Sequence, residues 1–190
     1  MVTHEDRRTR KTKKAMTNAL AKLLLEKPLN SISVKEISDI ADINRGTFYL
    51  HYRDVYDMAE QIQDEIFGKF TEIVDMHEPK KNTDEIFPMI VAVFNLLKEN
   101  ADLARVLISK NGDAAFVDKL KNVIREKCFS NIRMVFKVKN DEEIDYFYNF
   151  IVSGCIGLCS AWLLNDMKQT PTEMAKICER LILKGAEAIM

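Results

Sequence analysis

Apolar positions along this chain recur every three or four residues almost from end to end, the spacing of one buried helix face. Val34, Ile37 and Ala41 share such a face. So do Met58, Ile62, Ile66, Phe67 and Phe70, and later Met174, Ile177, Cys178, Leu181 and Ile182. With its caps and breaks the pattern predicts nine helices. They cover residues 8–26, two short stretches within 33–52, then 54–74, 84–99, 101–109, 113–136, 141–165 and a last one from 171 onward. Pro28 ends the first helix, and Pro88 is expected to kink the fifth or delay its start. No two runs are joined by a hairpin turn, and only six Gly and four Pro occur, so an all-α fold is expected.

Residues 33–52 carry the most specific local signals. Ser33 followed by Glu36 is a capping box. Asp42 stands where the chain must turn, and Asn44 is a good N-cap for the next helix. That helix presents Arg45, Thr47, Tyr49 and His51, while Gly46 lets its backbone approach a surface closely. Two short helices about a tight turn, the second rich in hydrogen-bonding groups, describe a helix-turn-helix suited to DNA. Similar pairs occur in helical proteins that never meet DNA, so the motif needs a second signal.

Charge supplies it. Arg7, Arg8, Arg10, Lys11, Lys13 and Lys14 crowd into eight residues. Residues 1–53 hold 11 Lys/Arg against 6 Asp/Glu, and residues 54–190 hold 17 against 23. A chain of net charge −1 thus joins a head of +5 to a body of −6, as expected when the head alone meets phosphate. The domains expected are 1–53 and 54–190, sharing the fourth helix rather than a flexible tether.

Ala19-Leu20, Leu23-Leu24, Ser33, Ile37-Ser38, Ala41, Ile43 and Gly46-Thr47-Phe48-Tyr49-Leu50-His51-Tyr52 follow one known pattern. Over residues 10–58, about a quarter of the chain, the sequence resembles the DNA-binding domain of the TetR (tetracycline repressor) family of bacterial regulators. Three positions depart from that pattern. Ser38 replaces the usual Ala, and Asp42 stands where Gly is common. Val55 occupies a position often given to a phosphate-binding Lys, which leaves Arg53 as the substitute. The resemblance implies three head helices and six body helices. It implies a DNA-binding set of Ser33, Asn44, Arg45, Gly46, Thr47, Tyr49 and His51, with Arg45 reading bases and Tyr49 and His51 holding phosphates.

In the body, Ser153, Gly154, Gly157, Ser160 and Ala161 interrupt a run of large apolar residues. Glycine costs up to ~1 kcal/mol in a helix interior, so two of them point to close packing, within the chain or with another. The resemblance favours a two-fold dimer built on the last two long helices, with Ser153, Gly154, Gly157, Ala161, Ile177 and Leu181 at the interface. It also implies a mostly apolar effector pocket between the fourth and eighth helices. The candidate lining is Phe67, Phe70, Phe94, Phe116, Tyr146, Asn149, Phe150 and Trp162, with Tyr146, Asn149 and Trp162 as polar anchors.

Other classes fare worse. The chain has only His4, His51 and His77, and no HExxH, phosphate loop or GxSxG, so no enzyme, metal or cofactor is expected. Cys128, Cys155, Cys159 and Cys178 form no CxxC pair and are expected as packed, reduced thiols, with a redox switch through Cys155 or Cys159 as the alternative that no sequence feature supports. Residues 146–164 carry no charge, yet contain Asn149, Ser153 and Ser160 and have acidic flanks. A buried helix of a cytoplasmic protein is expected there, not a membrane span. The reading is a homodimeric, ligand-responsive regulator, most simply a repressor, that binds a double-stranded operator and a small effector. A helical interaction adaptor with a vestigial helix-turn-helix is the alternative.

Overall fold

The computed structural model describes residues 7–77, 84–108, 114–129 and 141–187. Among the described residues every regular element is helical. α1 spans Arg7–Glu26, and a 3₁₀ turn at Leu29–Ser31 leads to α2, Val34–Ile40, and α3, Arg45–Tyr49. α4 is Val55–Met76, α5 Ile86–Glu99, α6 Ala101–Leu107 and α7 Ala114–Ile124, continued by a π-helical turn at Arg125–Phe129. α8 is Asp141–Leu164 and α9 Pro171–Glu187. The remainder of the seventh helix expected to reach residue 136 lies outside the described residues. Pro88 is accommodated as the third residue of α5, where its missing N–H has no intrahelical partner to lose.

The chain divides into two compact units, Met1–Ile66 and Phe67–Met190. The division falls inside α4, not at the charge step after residue 53. The reason is packing: Val55, Met58 and Ile62, in the first turns of α4, are buried and belong to the first unit. α4 is one uninterrupted helix across that division.

The first unit packs α1 on α2 and α2 on α3. Met16, Ile37, Phe48 and Met58 are all fully buried. In the second unit α5 runs along α9, α9 packs on α8, and α6 crosses α8. Arg105 on α6 secures the end of α8. Its Nε donates to the Leu163 carbonyl at 3.0 Å, and a guanidinium nitrogen lies 2.8 Å from Asp102. A cation at the carbonyl end of a helix also meets the negative end of its dipole. Ser160 adds a bond from Oγ to the Ile108 carbonyl at 2.9 Å.

Candidate nucleic-acid interface and ligand cavity

The turn between α2 and α3 is built from local bonds. The Ile43 N–H donates to the Ser38 carbonyl at 3.0 Å, and Asp42 takes the left-handed place before it, with φ 53°. This is the helix-ending arrangement that favours glycine, and a short polar side chain tolerates it at some cost. At the start of α2 the Glu36 N–H donates to Ser33 Oγ at 3.3 Å. Glu36 Oε2 in turn accepts from the Ser33 backbone at 3.0 Å. Lys27 Nζ reaches the other carboxylate oxygen at 2.5 Å. The hydrogen bonds from Lys27 and Ser33 hold the Glu36 carboxyl down at about 2.

α3 is positioned by Phe48, which is 0% exposed and stacks against Tyr52 at a centroid distance of 5.7 Å. With Phe48 inward, Arg45 and Tyr49 fall on the outside, one turn apart. Arg45 is exposed and Tyr49 is 58% exposed. Thr47 and His51 are half-buried, the His51 ring lying beside Tyr52. Asn44 caps α3, its Oδ1 accepting from the Thr47 N–H at 3.3 Å. Gly46 has a structural reason that the sequence reading missed. A Cβ there would stand 2.9 Å from Asn44 Oδ1, so a larger residue displaces the cap. Ser33 and Asn44 are therefore committed to capping while remaining exposed.

Leu50 of this surface escaped the sequence reading, and the structure places the Val55 and Arg53 singled out there. Leu50, directly after α3, is strongly exposed and apolar, the type of side chain that contacts a thymine methyl. Val55 is buried, whereas Arg53 is exposed and tethered to Asp57 through its backbone N–H at 2.8 Å and its guanidinium at 3.1 Å. Along α1, Arg7, Arg8, Arg10, Lys11 and Lys14 are exposed.

The second unit holds a cavity of about 140 Å³ whose wall presents no nitrogen or oxygen atom. α4 contributes Phe70 and Val74, and α5 contributes Ile90, Val93 and Phe94. Ile124 and Cys128 come from α7 and its widened turn, and Ile151, Val152 and Cys155 from α8. Tyr148 also lines it, but its hydroxyl donates to the Lys121 carbonyl at 2.5 Å.

The expected lining is corrected accordingly. Phe70 and Phe94 are in the wall. Phe67 packs in the adjoining apolar cluster, and Phe116 is buried away from the cavity. Trp162 lies one ring behind it, edge-on to Phe94 at 5.1 Å, with Nε1 donating to the Gln169 carbonyl at 2.9 Å. Tyr146, Asn149 and Phe150 point outward: Tyr146 and Phe150 are each 74% exposed, and Asn149 bonds back to the Asp145 carbonyl. Helical phase explains this. Residues 146, 150, 153, 154, 157, 161 and 164 recur at three and four, so they share the face opposite Phe147, Ile151 and Cys155.

That outward face carries Tyr146, Phe150, Ser153, Gly154, Gly157, Ala161 and Leu164, all exposed. A Cβ on Gly154 or Gly157 would meet nothing within 4 Å, so neither glycine is needed for packing within the chain. On α9, Leu181 is exposed and Ile177 half-buried.

Residues 84–184 match the transcriptional regulator C-terminal region of TetR type, more than half of the chain. The chain belongs to the TetR family. Solved TetR-type structures share the fold at low identity. FadR of Bacillus subtilis, in complex with stearoyl-CoA, is 18% identical with a TM-score of 0.66, over 90% of this chain and 98% of that one. NalD, the secondary repressor of the MexAB-OprM multidrug efflux pump in Pseudomonas aeruginosa, is 15% identical with a TM-score of 0.64, over 93% and 96%. DhaS, a dihydroxyacetone kinase operon activator, is 17% identical with a TM-score of 0.62, over 94% and 97%. No curated protein matches the chain. As a TetR-family member the protein is a DNA-binding transcriptional regulator, and the matched region lies within the unit that contains the cavity.

Proposed function

We propose that this TetR-family protein is a homodimeric repressor released from its operator by a small apolar molecule. One observation carries the ligand control. The same uninterrupted helix, α4, supplies Phe70 and Val74 to the cavity wall and Val55, Met58 and Ile62 to the first unit. A ligand that prefers one setting of α4 biases the DNA-binding unit, and by linkage ligand and operator each weaken the other's binding by the same factor. The stearoyl-CoA held by FadR supports an apolar effector. The wall here, free of nitrogen and oxygen and enclosing about 140 Å³, suits a compact hydrocarbon group, since a cavity of that order holds benzene.

The outward face of α8, with Ile177 and Leu181 of α9, is the proposed dimer interface. α8 is long and apolar enough to cross a membrane by length and composition. Its opposite side carries core residues Phe147, Val152 and Leu163, and its glycines leave room for a partner backbone, which favours a second copy of the chain. A two-fold dimer spaces two reading helices for half-sites ~34 Å apart. Arg45 is proposed to read a guanine through two hydrogen bonds, and Tyr49 and His51 to hold phosphates. Repression is the simpler direction, because occupying the operator suffices for it.

The test is a mobility-shift titration on DNA selected from genomic fragments. Parent protein should bind a two-fold symmetric site, and Arg45→Ala and Tyr49→Ala should weaken it. A parent that selected no site would leave a helical adaptor with an idle helix-turn-helix, and variants that bound as tightly as the parent would place the reading surface elsewhere.

A further inference from the structure

Cys128, Cys155, Cys159 and Cys178, the four cysteines of the chain, all stand in the cavity wall. None of the four is joined in a disulfide. Cys155 on α8 and Cys178 on α9 bring their Sγ atoms to 3.2 Å, one thiol hydrogen-bonded to the other. A disulfide is about 2.05 Å long, so joining them requires an approach of roughly 1.2 Å. The cavity beside them is apolar and large enough for a benzene-sized group.

We propose that Cys155 and Cys178 form an oxidation site for compact apolar hydroperoxides, which enter the cavity and leave a Cys155–Cys178 disulfide behind. The inference goes beyond effector control and stands without it, because its product is a covalent bond.

The two thiols are unequal. The hydrogen bond between them holds Cys155 below the ordinary thiol range, while the same bond, then burial, pushes Cys178 up. Burial, then the nearby Cys155, pushes Cys159 up to about 12. Cys155 is thus the attacking sulfur, since the thiolate is the nucleophile. Its sulfur attacks the terminal oxygen of ROOH and the O–O bond breaks. The alkoxide leaves and takes up the proton released by Cys155, giving ROH and a Cys155 sulfenic acid. The Cys178 sulfur then attacks the Cys155 sulfur and the S–O bond breaks. Hydroxide leaves with the Cys178 proton as water. Two thiols lose two electrons, and the peroxide gains them. Hydrogen peroxide is a poor fit, because it has no apolar group for this wall to bury, whereas an organic hydroperoxide gains from burying its hydrocarbon part.

The test treats reduced full-length protein with tert-butyl hydroperoxide or hydrogen peroxide at equal concentration. Free thiols are counted over time, and non-reducing peptide mapping locates the bond. Parent protein should lose two thiols within one chain and yield the Cys155–Cys178 cross-link. The organic peroxide should react at least roughly tenfold faster, the low end of what one methylene contributes in an apolar pocket. Cys178→Ser should stop at a Cys155 sulfenic acid trapped by dimedone, and Cys159→Ser should oxidise like the parent. A bond mapped to Cys128 or Cys159, a bond between chains, or equal rates with the two peroxides would overturn the proposal. These three readouts come from the parent protein and do not depend on how any variant folds.

Discussion

The two units use the same element for opposite ends. In the first, α3 is pinned by a ring with 0% exposure, Ser33 and Asn44 cap α2 and α3, and Arg45 and Tyr49 are left outside. In the second, the helices line a cavity of about 140 Å³, and α8 leaves a stripe of large apolar and small residues uncovered. A reader must hold its side chains in one geometry, which dense packing and local caps provide. In the proposed function the second unit accepts a guest, for which it has a cavity, and a partner, for which it has an open apolar face.

Four substitutions break or sharpen that contrast. Phe48→Ala removes the pin of the closed unit. It should destabilise that unit by about 3–5 kcal/mol, as large-to-small core changes do, and chemical denaturation followed by circular dichroism would show it. Gly157→Leu acts on the open face. Its Cβ meets nothing within the chain, so the protomer should fold normally. The overpacked dimer should lose about 1–3 kcal/mol, and analytical ultracentrifugation should show monomer at concentrations where the parent is dimeric. A variant that stayed fully dimeric would place the interface elsewhere.

Arg45→Ala tests what the closed unit presents. It should cost about 1–3 kcal/mol of operator binding and relax specificity at one position of each half-site. Equal weakening on operator and random DNA would reduce Arg45 to a phosphate contact. Ser38→Ala has the smallest effect and the opposite sign. Ser38 is 2% exposed and its Oγ has no hydrogen-bond partner. Removing a buried, unsatisfied hydroxyl should raise stability by about 1 kcal/mol, and thermal unfolding would register it without a change in DNA binding.

The contrast also explains which features could be read from residues alone. The Ser33–Glu36 box, the Asp42 turn and the Asn44 cap join residues no more than five apart, so their chemistry is visible in order along the chain. The cavity gathers α4, α5, α7, α8 and α9, and spacing within one helix does not say which helices meet. Tyr146, Asn149 and Phe150 were misplaced because α8 is apolar nearly all round and its large residues alone do not choose a face. Its small ones do: extending from Gly154 and Gly157 by turns of three and four reaches Phe150 and Tyr146 on the outward side. The cysteines were expected as packing, and within α8 only the four-residue step from Cys155 to Cys159 hinted at a shared face. That Cys178 meets Cys155 depends on how α9 lies on α8.

Reciprocal coupling between cavity and operator is the most direct test of the whole account. Trp162 is the single tryptophan and touches Phe94 of the cavity wall, so its fluorescence should report an apolar ligand entering. Operator affinity should be measured with and without saturating ligand, and ligand affinity with and without saturating operator. Both should fall by the same factor, of order 5–150-fold for typical couplings of about 1–3 kcal/mol. Tight ligand binding reported by Trp162, with operator affinity unchanged, would contradict ligand control by this cavity.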